Sequence, residues 1–235
     1  MLLTELRRRN IEGERGRRFY ALYPDEGPLR RELYPKHMEF FAAGHEHQER
    51  AMLGGNRSGK SMGVGYEVTC HLTGIYPHWW TGYRFNRPIT AWIAGEDVKS
   101  LRDSLQLTFF GPPHDLGTGL IPRETLVGKP TSRTGTAEAY DTFSVRHVSG
   151  GISRGTIKTY DQGREAFQAA HIDVVMLDEE PPMPIYVECL MRTMATELGE
   201  TNGLLMCAFT PLKGLSEVVL SYLPYLDQVP GQTNG

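Results

Sequence analysis

Gly54-Gly55-Asn56-Arg57-Ser58-Gly59-Lys60-Ser61 is a complete G-x-x-x-x-G-K-[ST] phosphate loop. Its glycines let backbone N–H groups converge on phosphate oxygens, and the helix that follows turns its positive end toward them. Gly54, Gly55, Asn56, Arg57, Ser58 and Gly59 then surround the phosphates, while Lys60 reaches the β and γ groups. The Ser61 hydroxyl takes one Mg²⁺ position. The flanks agree with this. Arg50–Gly54 reads as a short buried strand, and 60–72 as a helix that stops at Gly74.

Binding and hydrolysis are separate tasks, and hydrolysis needs a second group. Ile172-Asp173-Val174-Val175-Met176-Leu177-Asp178-Glu179-Glu180 supplies a candidate. A buried apolar strand ending in a carboxylate puts Asp178 at the sheet's C-terminal edge, where it holds the Mg²⁺ hydration shell. Glu179 is the candidate base that orients the attacking water. Strand alternation sends Glu180 the other way, which favours Asp178 and Glu179. Adenine is preferred to guanine, because no Asn/Thr-Lys-x-Asp motif follows.

Further out, Tyr34–Ala43 reads as a helix with Pro35 in its first turn and Met38, Phe41 and Ala42 on one face. Strands are expected at 89–95, 142–148, 156–160 and 204–209, and a helix at 97–110. Fully apolar strands separated by helices indicate a mainly parallel sheet covered on both faces. The expected fold is α/β.

The chain has 235 residues, a formal net charge of -3 and three cysteines in no ligand-like spacing. These values exclude a disulfide framework and a surface basic all over, and leave room for a local basic face. No apolar run is long enough to span a membrane, and the N-terminus lacks a signal peptide's apolar core. Residues 1–33 read as a basic arm, 34–214 as the nucleotide-binding domain, and 215–235 as a lid or linker. Trp79 and Trp80 could stack bases or pack a loop on the core. Arg123, Lys129 and Arg133 are candidates for contact with DNA phosphates.

Several segments together resemble the ATPase domain of the large terminase subunit of tailed bacteriophages, the motor that packages DNA into capsids. They are Tyr34–Phe41, the phosphate loop, His71–Trp80, Gln162–Gln168, Leu177–Pro182 and Phe209–Gly214. The resemblance implies a RecA-like, additional-strand P-loop NTPase using ATP and Mg²⁺ to translocate double-stranded viral DNA into a procapsid. It places His37 on the adenine side, where the related helicase pattern has Gln, and makes Arg57 the loop's extra arginine. Thr210 falls in the coupling motif that senses the γ-phosphate. Arg164 is the candidate arginine finger acting across a subunit boundary, with Arg154 and Arg146 as rivals and a surface ion pair as the other reading of Arg164. The implied partners are DNA, a portal protein, a small terminase subunit and further copies of the chain in a homo-oligomeric ring, a pentamer. The isolated chain could be a monomer. The implied location is the host cell cytoplasm. Large terminases continue into an RNase H-like nuclease domain that this chain lacks, so DNA cleavage is not expected. The alternatives are a helicase-like remodelling ATPase and a low-turnover nucleotide switch.

Overall fold

The computed structural model describes residues 18–168, 171–194, 202–212 and 214–222. The beginning of the expected arm and the end of the expected linker lie outside them.

Six strands form one sheet: β1 (Glu49–Leu53), β2 (Thr90–Gly95), β3 (Thr142–Arg146), β4 (Ile152–Thr159), β5 (Val174–Asp178) and β6 (Leu204–Phe209). Their order is β1-β6-β5-β2-β4-β3. All neighbours are parallel except β3, which runs antiparallel to β4 at one edge. Strand β6 lies between the phosphate-loop strand β1 and the carboxylate strand β5, which is the additional-strand arrangement.

Alternation along the strands builds two cores. Met52, Ile93, Met176 and Met206 face one cluster, while Ala51, Trp92, Val175 and Cys207 face the other. Helices α2 (Pro35–Ala43) and α3 (Lys60–Thr73) cover the first face. Helices α6 (Met183–Thr193) and α7 (Glu217–Tyr222) cover the second. Among the described residues, no helix is long and apolar enough to cross a membrane.

Several expectations shift. The inward face of α2 is His37, Phe40 and Phe41, and Ala42 is exposed. Apolar periodicity does not count a histidine as an inward residue. The helix expected at 97–110 starts where the Asp97 carboxylate accepts from the Lys99 and Ser100 amides (2.8 and 3.0 Å). It is interrupted, with a π-helical stretch Arg102–Gln106 between α4 (Val98–Leu101) and α5 (Leu107–Phe110). Strand β4 begins four residues earlier than expected, at Ile152, because Ser153 and Arg154 mask its pattern.

Two segments flanking the expected domain also reach the cores. Phe19, on the short helix α1 (Arg18–Ala21), and Tyr23 pack into the first core, so this part of the expected arm packs against the sheet domain. Val218 and Val219 on α7 belong to the second core, so 217–222 packs against the sheet.

Behind the phosphate loop, a buried polar chain ties α2, β1 and α3 together. Arg50 donates to the Phe40 carbonyl at 2.6 Å and to both Glu67 oxygens at 2.6 and 3.1 Å. Glu67 also meets His71 Nε2 at 3.2 Å, and His71 Nδ1 lies 2.9 Å from Tyr76 Oη. Burial keeps the His71 ring neutral, its pKa below the usual histidine value. Burial alone would raise the Glu67 carboxyl, but Arg50 and His71 outweigh it and hold its pKa below the ordinary range.

Candidate functional site

The loop between β1 and α3 takes two left-handed residues, Arg57 (φ 63°) and Gly59 (φ 84°). Glycine adopts that conformation freely, whereas Arg57 is strained in it. Helix α3 begins at Lys60, so its unpaired N-terminal amides face the loop. Lys60 Nζ donates to the Gly55 carbonyl at 2.7 Å and to Thr210 Oγ1 at 3.0 Å. Thr210 Oγ1 lies 2.8 Å from the Gly54 carbonyl and 2.9 Å from Asn56 Oδ1. Parallel pairing of β1 with β6 brings Thr210 here, because both strands end at the same sheet edge.

Strand β5 ends on the same edge. Asp178, 8% exposed, accepts a hydrogen bond from Ser61 Oγ at 2.5 Å. Burial pushes its carboxyl up to about 6; Glu179 adds to the rise, and Ser61 and Lys60 oppose it. A hydroxyl and a carboxylate are hard oxygen donors. Mg²⁺ takes one or two such protein ligands beside substrate phosphates and water, so the pair suits the ion.

Glu179 is exposed, at φ 62°, and its amide donates to the Ala208 carbonyl at 3.1 Å. The left-handed turn ends strand alternation at Asp178, so alternation does not decide between Glu179 and Glu180. Glu180 is half-buried, and among the described residues its Oε2 has no hydrogen-bond partner. Tyr160 Oη donates toward the carbonyls of Asp178 (2.9 Å) and Glu179 (3.2 Å) and so fixes this turn from β4's side. No local sequence signal marks Tyr160 for that task.

His37 does not present a free edge to a base. Its ring is buried, with Nδ1 2.7 Å from Tyr23 Oη, and it also hydrogen-bonds the Ser58 backbone. Burial lowers its pKa. The ring lies so close to Gly59 and Gly63 that a Cβ there would sit 3.3 and 3.1 Å from it. His37 therefore packs behind the loop, against Tyr23, Gly59 and Gly63.

The arginine candidates separate by position. Arg154 sits on β4 five residues, about 17 Å, before its C-terminal end. Arg146 pairs with Ile152 at that same remote edge. Arg164 follows β4's C-terminal end, its side chain 52% exposed and its Nε bonded to Glu188 at 2.7 Å. Trp79 and Trp80 stack on Phe41 within the core and form no platform for bases. Arg123 pairs with Asp115, and Arg133 lies 3.5 Å from Thr159 Oγ1.

Residues 51–226 match the family model described as "Terminase large subunit, T4likevirus-type, N-terminal". The chain belongs to this terminase family. It is 36% identical over 210 residues to the large terminase subunit of Salmonella phage P22, an alignment covering 81% of this chain and 41% of that protein. Among solved structures, the large terminase of a thermophilic bacteriophage superposes with a TM-score of 0.51 at 13% identity. That match covers 82% of this chain and 42% of the thermophilic phage's chain. This terminase chain thus spans about two fifths of the relatives it matches, and its fold is the RecA-like P-loop fold of their ATPase domains.

Proposed function

We propose that this terminase chain hydrolyses ATP and that hydrolysis drives double-stranded viral DNA into a procapsid. The carrying observation is the convergence of Lys60, Ser61, Asp178 and Thr210 at one sheet edge, with Ser61 and Asp178 2.5 Å apart and Thr210 on Lys60 at 3.0 Å. Lys60 and the loop amides bind the β and γ phosphates, and Ser61 with Asp178 holds Mg²⁺. The ion, when bound, neutralises charge on the transferred phosphoryl group. Glu179 orients the attacking water, and its solvent-facing position beside Asp178 is compatible with that task. Thr210 links the occupied loop to the chain after β6. Arg57 lies in the loop itself and contributes a further cation to the phosphates.

Arg164 completes the site in trans. Four strand steps of about 4.8 Å separate β1 from β4, so Arg164's own phosphate loop lies roughly 19 Å across the sheet. Contact between unlike surfaces generates a ring where the rotation closes, and a closed ring is the assembly expected of such a motor. DNA, a portal protein and a small terminase subunit are the proposed partners, in the host cell cytoplasm.

Glu179→Ala tests the chemistry. ATP binding should persist while turnover falls about 10²–10⁴-fold. Hydrolysis near the wild-type rate in that variant would overturn the assignment.

A further inference from the structure

Two arginines converge on one buried carboxylate on the flank of the sheet away from the phosphate loop. Glu188 lies in the middle of α6, its side chain only 1% exposed. Its Oε2 accepts from Arg164 Nε at 2.7 Å, and its Oε1 accepts from Arg192 Nε and Nη2 at 3.0 and 2.7 Å. The Arg164 hydrogen bond first, and Arg192 with it, holds this carboxyl below the usual glutamate range. The acceptor therefore stays charged at neutral pH.

The two guanidinium groups are used differently. Arg192 grips Glu188 with Nε and Nη2 from one helical turn away, fixing the carboxylate in place. Arg164 spends only Nε. Among the described residues, its two Nη atoms make no hydrogen bond, and half of its side chain is open to solvent. A guanidinium bonded through Nε alone keeps its end-on pair of Nη atoms available, a fork that matches two oxygens of a phosphate. The backbone at this point is secured separately, because Phe167 is fully buried edge-on against Trp92. Glu188 thus sets the direction of a side chain whose anchor is already fixed.

We propose that Glu188 is a positioning residue, aiming Arg164 at the phosphates of a nucleotide held by a second copy of this chain. It rests on the reading of Arg164 given above. Pre-orientation removes the entropy that a free arginine would lose on each encounter. Helix α6 starts at Met183, shortly after Asp178 and Glu179, so one element joins a subunit's own metal-site strand to the arginine it offers its neighbour.

Subunit mixing tests this with the full chain. ATP turnover is measured for wild type, R164A, E188A, E188Q and K60A, alone and in equimolar pairs over a range of protein concentrations. Melting curves accompany each variant, and E188Q replaces E188A if the latter does not fold. E188A should lose about tenfold or more in kcat with KM nearly unchanged. Adding K60A should restore turnover, because K60A cannot hydrolyse but offers an intact Glu188–Arg164 pair to the sound site of E188A. R164A should behave alike.

If R164A matches wild type, or is impaired and K60A does not rescue it, the trans reading fails and this proposal with it. If R164A is rescued but E188A is not, Glu188 supports only its own subunit and this proposal alone fails. E188A with wild-type kcat, beside an impaired R164A, overturns it equally.

Discussion

The phosphate end of the sheet and the arginine end organise their charged groups in opposite ways. Around the phosphate loop the polar groups are matched within the chain: Lys60 with Gly55 and Thr210, Ser61 with Asp178, His37 with Tyr23. Across the sheet Arg164 is held by one nitrogen, and among the described residues its Nη atoms make no hydrogen bond while half of the side chain is exposed. A polyphosphate entering the loop exchanges one set of partners for another, so the loop's geometry is prepared by the fold of a single subunit. Arg164 has one internal partner, Glu188, and on the proposed reading its remaining nitrogens meet a nucleotide of another copy. On the proposed reading, the self-contained half of the site sits where the strands end together, and the half that depends on a neighbour sits after β4.

Breaking each end separately should expose that difference. Lys60→Ala removes a charge-assisted phosphate contact and should weaken ATP binding about 100-fold. Arg164→Ala should leave ATP affinity within about twofold while lowering turnover. Equilibrium binding of a fluorescent ATP analogue to both variants checks this. Equal losses of affinity would erase the contrast.

A smaller effect is expected from the brace behind the loop. His37→Ala leaves Tyr23 Oη without its partner and opens space beside Gly59 and Gly63. It should cost about 2 kcal/mol of stability and weaken ATP binding, whereas Arg154→Ala on the remote edge should change stability by under about 0.5 kcal/mol. Denaturant titration together with ATP binding separates the two.

The smallest effect concerns pH. The folded chain keeps His71 neutral, its pKa below the ordinary 6.5, so below that pH the unfolded chain takes up a proton that the folded chain refuses. The His71 contribution is therefore present above about pH 6.5 and is lost as pH falls. Glu67 adds a loss of the same sign only below the ordinary carboxylate range. Asp178, raised to about 6, acts in the opposite direction between about 6 and 3.8. Comparing wild type with His71→Gln cancels the Asp178 contribution. The melting temperature of wild type should fall more steeply from pH 7 to 5.5 than that of the variant.

What was legible in the chain follows the range of the interactions. Strands β5 and β6 could be read because every residue in them is buried, which leaves an unbroken apolar run. Strand β4 was half hidden, because Ser153 and Arg154 lie where it meets β2 and the loop before it rather than a simple apolar face. The packing of Phe19 and Val218 could not be read locally, because their burial depends on contacts from distant parts of the chain.

By itself the sequence determined the phosphate loop, the carboxylate strand and the α/β class, since each rests on local spacing and backbone preference. Tertiary structure alone decided that His37 is joined to Tyr23 behind the loop, that Tyr160 holds the turn at Glu179, and that Arg164 is tied to Glu188. A polar side chain's role depends on its partner, and those partners stand 14, 19 and 24 residues away, joined only when the sheet and its helices have packed.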